Sequence, residues 1–140
     1  MRYMRQRWTT FAGFISLFCV MTIVAYSHGW NPAMFSRTWG WDPATYAVVN
    51  ATILLTVAPL TINFSGWLSD KHTAQGRMDT PLLIAMGGVL ILVPSGVAAP
   101  LMPFGELAFV CLALNTVGLA MVSAVGVTAL LNIVPSTMRG

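Results

Sequence analysis

Charge is what this sequence has least of. Seven basic and four acidic side chains in 140 residues fall far below the roughly 35 charges of an average soluble domain of this length. So few charges cannot build a solvated shell around a folded core. Intrinsic disorder is excluded from the other side, because it needs low hydrophobicity and high net charge, whereas 56% of these residues are apolar and the net charge is only +3. The isoelectric point near 9.3 does not signal nucleic acid, since no basic stripe interleaved with aromatics is present.

Cysteine is nearly absent as well. Cys19 and Cys111 stand alone in distant segments with no C-x-x-C spacing, which argues against thiol redox chemistry and metal binding. The two histidines, His28 and His72, fall at opposite ends of the apolar segments and read as solvated surface. There is no G-x-S-x-G, no Walker sequence and no pair of carboxylates. The sequence therefore reads as a non-enzyme with no cofactor and no metal.

What the chain does contain is long apolar runs. Residues 9–28, 44–68, 80–104 and 107–134 carry no Asp, Glu, Lys or Arg, and mean hydropathy is +0.74. At 1.5 Å per residue each run, as a helix, reaches across a hydrocarbon core about 30 Å thick. The hydrophobicity is continuous rather than alternating, which disfavours a β-barrel. The expected fold is an all-α membrane protein of four spans in a single domain, with the lipid bilayer as its principal partner.

Basic residues orient the spans. Arg2, Arg5 and Arg7 precede the first, Lys71 and Arg77 separate the second from the third, and Arg139 follows the fourth. Only Arg37 lies in the first connection. The positive-inside rule then places both termini and the 69–79 loop in the cytoplasm. Trp8 and Trp67 fit the inner interface, and Trp30, Trp39 and Trp41 the outer one. A cleaved signal peptide ending near Ala25-Tyr26-Ser27 is the competing interpretation, but the apolar run from Phe11 to Tyr26 outlasts a usual signal core.

Local signals add detail. Asn31-Pro32 and Asp42-Pro43 each look like an N-cap followed by a first-turn proline, so a short outer helix should start at Asn31 and the second span at Asp42. Pro59 and Pro94 fall inside spans and should kink them, freeing the carbonyls of Leu55 and Leu90. In lipid, packing faces are small and polar. Thr45, Thr52, Thr56, Pro59, Asn63 and Gly66 therefore mark the packing face of the second span. The fourth span carries two such stripes (Asn115, Gly118, Gly126 and Ala129; Ala120, Ala124 and Thr128) and should be central. The third, with Ser95 as its main polar group, should be peripheral. The sequons at Asn50 and Asn63 lie within the second span and read as chance matches.

The most specific segment follows that span: Gly66-Trp67-Leu68-Ser69-Asp70-Lys71, then Gly76-Arg77. It resembles the G-x-L-[AS]-D-[RK] loop motif of the major facilitator superfamily, which joins the second and third helices of each six-helix half. Gly66, Leu68, Ser69, Asp70 and Lys71 match, whereas Gly76 and Arg77 come later than in the common pattern. Trp30-Asn31-Pro32 with Arg37 and Gly40 resembles the outer end of the family's seventh helix. Pro135 to Gly140 resembles the cytoplasmic exit of the tenth. The resemblance implies a partial six-helix bundle, helices seven to ten of a permease of the cell (inner) membrane that moves a small solute by alternating access.

It also implies roles. Ser16 and Thr22 on the first span, with Asn115 and Ser123 on the fourth, would line the substrate cavity. The second span would pack beside it and the third would face lipid. Asp70 would form a cytoplasmic latch with Arg77 or Arg139. Partners would be a small-molecule substrate and either the remaining transporter helices or a second copy. Two other classes stay open. One is a non-transporting four-helix membrane protein or assembly subunit. The other is a small multidrug exporter, disfavoured because such proteins need a carboxylate in the first span and none is present.

Overall fold

The computed structural model describes residues 8–77 and 79–133, which are helical almost throughout. The order is α1 (Trp8–Ser27), a 3-10 turn (His28–Trp30), α2 (Asn31–Trp39), α3 (Pro43–Ala74), α4 (Thr80–Ala98), a second 3-10 turn (Ala99–Leu101) and α5 (Gly105–Ile133). Four stretches, Phe11–Trp39, Pro43–Ala74, Thr80–Leu101 and Gly105–Gly126, are long and apolar enough to cross a membrane.

The two Pro-preceded starts behave differently. Asp42 is a true cap: its carboxylate accepts from the backbone N–H of Ala44 at 3.1 Å and of Thr45 at 3.2 Å, using donors that a helix start otherwise leaves orphaned. Asn31 does not cap. The chain runs from α1 through the 3-10 turn into α2 without leaving helical geometry, so no orphan donors exist there to be capped. Gly40 then ends α2 in the left-handed region (φ +68°), where a residue without Cβ pays no steric penalty.

The segment expected as a loop over 69–79 is mostly helix, because α3 continues to Ala74. Its stop is a Schellman arrangement: the N–H of Arg77 reaches the carbonyl of His72 and that of Gly76 the carbonyl of Thr73, with Gly76 at φ +87°. The late position of Gly76 follows directly, since a helix that outlasts the span needs its terminating glycine further on.

Helix α5 is central, as its two small stripes imply. A tight backbone approach joins it to α4. A Cβ on Gly88 would stand 2.9 Å from the carbonyl oxygen of Gly118. Ile84, Ala85 and Val125 are buried beside this crossing, and Leu68 of α3 packs against them. The third span is peripheral, with Leu82, Leu83, Met86, Leu90, Val93 and Val97 exposed, but its inner face is tightly packed through Ala85 and Gly88, whose small size lets backbones touch and gain dispersion contacts.

The expected packing face of the second span is corrected. Thr45, Thr52, Thr56, Pro59 and Asn63 are exposed. The side chains of Thr52, Thr56 and Asn63 donate to Val48, Thr52 and Pro59 carbonyls of their own helix at 2.7–2.9 Å, and a self-satisfied polar group needs no neighbour. The buried residues of α3 are instead Tyr46, Ser65 and Ser69.

The α2 end of the bundle is closed by aromatic rings. Phe35 is fully buried, with its ring centroid 4.4 Å from Phe109, 4.8 Å from Trp39 and 5.0 Å from Tyr46. Trp41 adds a contact to Phe109 at 5.0 Å. Such pairs contribute about 0.5–1.5 kcal/mol each beyond area burial, so this cluster fixes α2 against α3 and α5.

Candidate functional site

The four residues expected to line a cavity separate into two groups. Ser16, Thr22 and Ser123 are exposed. The hydroxyls of Thr22 and Ser123 donate to Phe18 and Ala120 carbonyls of their own helices at 2.8 and 3.0 Å. They do not meet one another, for the reason that applies to α3: a hydroxyl that bonds back to its own helix needs no shared cavity. Thr22 lines an open groove on α1 with Phe18 and Cys19, and Asn115 is buried on α5, lining a cavity of about 370 Å³ between the α1–α2 segment and the α4–α5 pair.

Asn115 is a junction. Its Nδ2 donates to the carbonyl of Leu92 on α4 at 3.0 Å, and its Oδ1 lies 3.0 Å from His28 Nε2 at the end of α1. These two bonds span 23 and 87 positions, and a side-chain hydrogen bond between Asn31 and Tyr46 separately ties α2 to α3. The polar connection from the end of α1 to α4 and α5 runs through the Asn115 amide. Gly96 makes room for it, since a Cβ there would stand 3.0 Å from Asn115 Nδ2.

The site sits beside Pro94, which lies inside α4 without ending it. Pro94 lacks the N–H that would serve Leu90. Ser95 Oγ reaches the carbonyls of Ile91 (2.7 Å) and Leu92 (3.1 Å), and Asn115 adds its bond to Leu92. These side-chain bonds fall on the two carbonyls that follow Leu90, which is itself exposed.

The network also fixes protons. A backbone carbonyl only accepts, so Asn115 presents nitrogen to Leu92 and oxygen to His28. That oxygen in turn only accepts, so Nε2 of His28 carries hydrogen. In the neutral ring Nδ1 is left as a lone pair. The sequence pattern alone reads His28 as solvated surface. It is half-buried, and no local pattern announces a partner 87 positions away.

At the other end, the motif residues take two positions. Leu68 packs into the core against α4 and α5, and Gly66 is half-buried. Asp70, Lys71, Gly76 and Arg77 are exposed. The Lys71 ammonium lies 4.9 Å from the centroid of the Trp67 ring, a cation–π contact at an edge where an indole and a charge both fit. Arg139, the other expected latch partner, lies outside the described residues. Among the described residues no three metal-ligating side chains come together.

Comparison of the chain with protein-family models, curated proteins and solved structures finds no match in any of the three.

Proposed function

We propose that the chain is part of a multi-pass membrane transporter of the major facilitator type, moving a small solute by alternating access in a cell (inner) membrane with both termini cytoplasmic. The observation that carries this reading is the double use of the Gly66–Lys71 segment. Leu68 anchors it in the core near the end of α3, while Asp70 and Lys71, on the same helix, remain exposed beside it. That is the arrangement a latch requires: a charge held on a fixed helix end, available to a partner that comes and goes. Asp70 would pair with Arg77 or Arg139 in one state and release it in the other. Alternating access needs two bodies around a shared site, so the chain would work together with further transporter helices or a second copy.

One observation favours a second reading, a non-transporting assembly subunit. The face of α3 that carries Thr45, Thr52, Thr56 and Asn63 is exposed, and with three of these side chains satisfied by their own backbone it can take a neighbouring helix by packing alone, whether or not the assembly transports. The discriminating experiment is to purify the tagged chain from its native membrane with everything bound to it, and reconstitute the assembly. The transporter reading expects saturable solute flux that Asp70→Asn reduces at least several-fold, and none from the isolated chain. An assembly without saturable flux would establish the subunit instead, and flux indifferent to Asp70→Asn would remove the latch.

A further inference from the structure

The cavity beside Asn115 has a polarity of its own. Its walls along the bilayer depth are apolar, with Val20 and Val24 on α1 facing Val93 and Val97 on α4. Its polar end is formed by Ser27, His28, Asn31 and Asn115. Two of these are already committed as donors. Asn115 gives its amide hydrogen to Leu92 and its oxygen is taken by His28, and Ser27 donates its hydroxyl hydrogen to the Val24 carbonyl at 2.7 Å. What remains on these residues is mainly lone pairs: Nδ1 of His28, the Ser27 oxygen and the Asn31 amide oxygen, with the second N–H of Asn115 and whatever the Asn31 amide keeps beyond its bond to Tyr46 as spare donors.

No Lys, Arg, Asp or Glu lines the cavity. The charges on the surrounding elements, Arg37 on α2 and Glu106 on α5, are exposed and outside it. A carboxylate guest would lose its hydration with no cation to replace it. A plain hydrocarbon would fill the apolar part but leave the polar end unpaired. A volume of about 370 Å³ lies within the range of small-molecule sites.

We propose that this cavity binds a neutral amphiphile with an apolar body and one O–H donor, an alcohol or a phenol, whose hydroxyl donates to His28 Nδ1. The site is a groove between spans of this chain, with Val20, Val93 and Val97 exposed along its walls, rather than a site between two transporter halves, so it stands or falls separately from the transport reading. It joins α1 to α4 and α5 beside the one polar junction that links them. An occupant would brace the first span against the rest.

The test uses the whole chain in phosphatidylcholine nanodiscs with histidine labelled with ¹⁵N. There are two histidines, and His72, whose Nδ1 is engaged by the Leu68 carbonyl at 2.9 Å, serves as the internal reference. The probes are 4-butylphenol, butylbenzene and 4-butylbenzoate. The proposal expects a saturable ¹⁵N shift of His28 Nδ1 with 4-butylphenol, no shift of His72, and no Nδ1 shift with the other two. A hydrogen bond of ordinary strength makes the phenol about five-fold tighter than the hydrocarbon in competition. Val24→Trp, which adds bulk to the cavity from its α1 wall, should abolish the shift while leaving the Nε2 signal in place. Equal responses to phenol and hydrocarbon, a response that never saturates, or one that survives Val24→Trp would show a groove filled by lipid chains only and overturn the proposal. No response to the phenol would overturn it as well.

Discussion

Gly118 of α5 lies so close to Gly88 of α4 that a Cβ on it would stand 2.6 Å from the Gly88 carbonyl oxygen and 2.8 Å from the Leu92 backbone nitrogen. All three obstacles nearest that position are backbone atoms, which cannot swing aside as a side chain can. Gly118→Ala should therefore push the helices apart and destabilise the bundle by about 1–3 kcal/mol, the usual cost of overpacking. Gly13→Ala is the control, since nothing lies within 4 Å of a Cβ there, and the helix-propensity gain of about 1 kcal/mol should leave it neutral or slightly more stable. Unfolding of both variants in mixed detergent micelles reads the difference.

Asn115 and His28 should behave as one unit. Asn115→Leu removes the bond to His28 and the bond to Leu92 together, and His28→Phe removes only the first. In a double-mutant cycle the pair should show a coupling of about 0.5–1.5 kcal/mol, the net value of one hydrogen bond. Spin labels at Val20 and Val110, both exposed, should report a wider α1–α5 distance distribution in each single variant. Additive effects with an unchanged distribution would mean that the junction does not hold α1.

Asp42 is expected to matter through its cap alone. Asp42→Ala loses the acceptors of two backbone donors and should cost about 0.5–2 kcal/mol, while Asp42→Ser should recover most of it. Amide exchange at Ala44 and Thr45 is the local readout, with faster exchange in the alanine variant and near-native exchange in the serine one.

The extent to which the sequence announces this structure differs between features. Apolar runs without charge mark four membrane-length helices because desolvating a charge is so costly that its absence is informative. The Asp42 cap and the centrality of α5 are legible for similar reasons, one from local hydrogen-bond chemistry and the other from small residues on two faces. The packing face of α3 is not legible. Thr52 and Asn63 look like interhelical glue until the structure shows them bonded to their own backbone, and composition cannot tell the two uses apart. The importance of α4 was present in Gly88 but hidden by attention to polar groups. His28 is the clearest case of information that a linear pattern cannot hold. Its partner is set by how α1 returns against α5, which depends on the whole bundle.

The central claim is that the chain crosses the membrane four times, with the α3–α4 turn and the α2–α3 connection on opposite faces. In a chain whose Cys19 and Cys111 are replaced by alanine, single cysteines at Gln75 and Thr38, both exposed, are labelled by an impermeant maleimide applied to intact cells. The account predicts that Thr38→Cys reacts from outside, and that Gln75→Cys reacts only after the membrane is permeabilised. Reaction of both from the same side would contradict it.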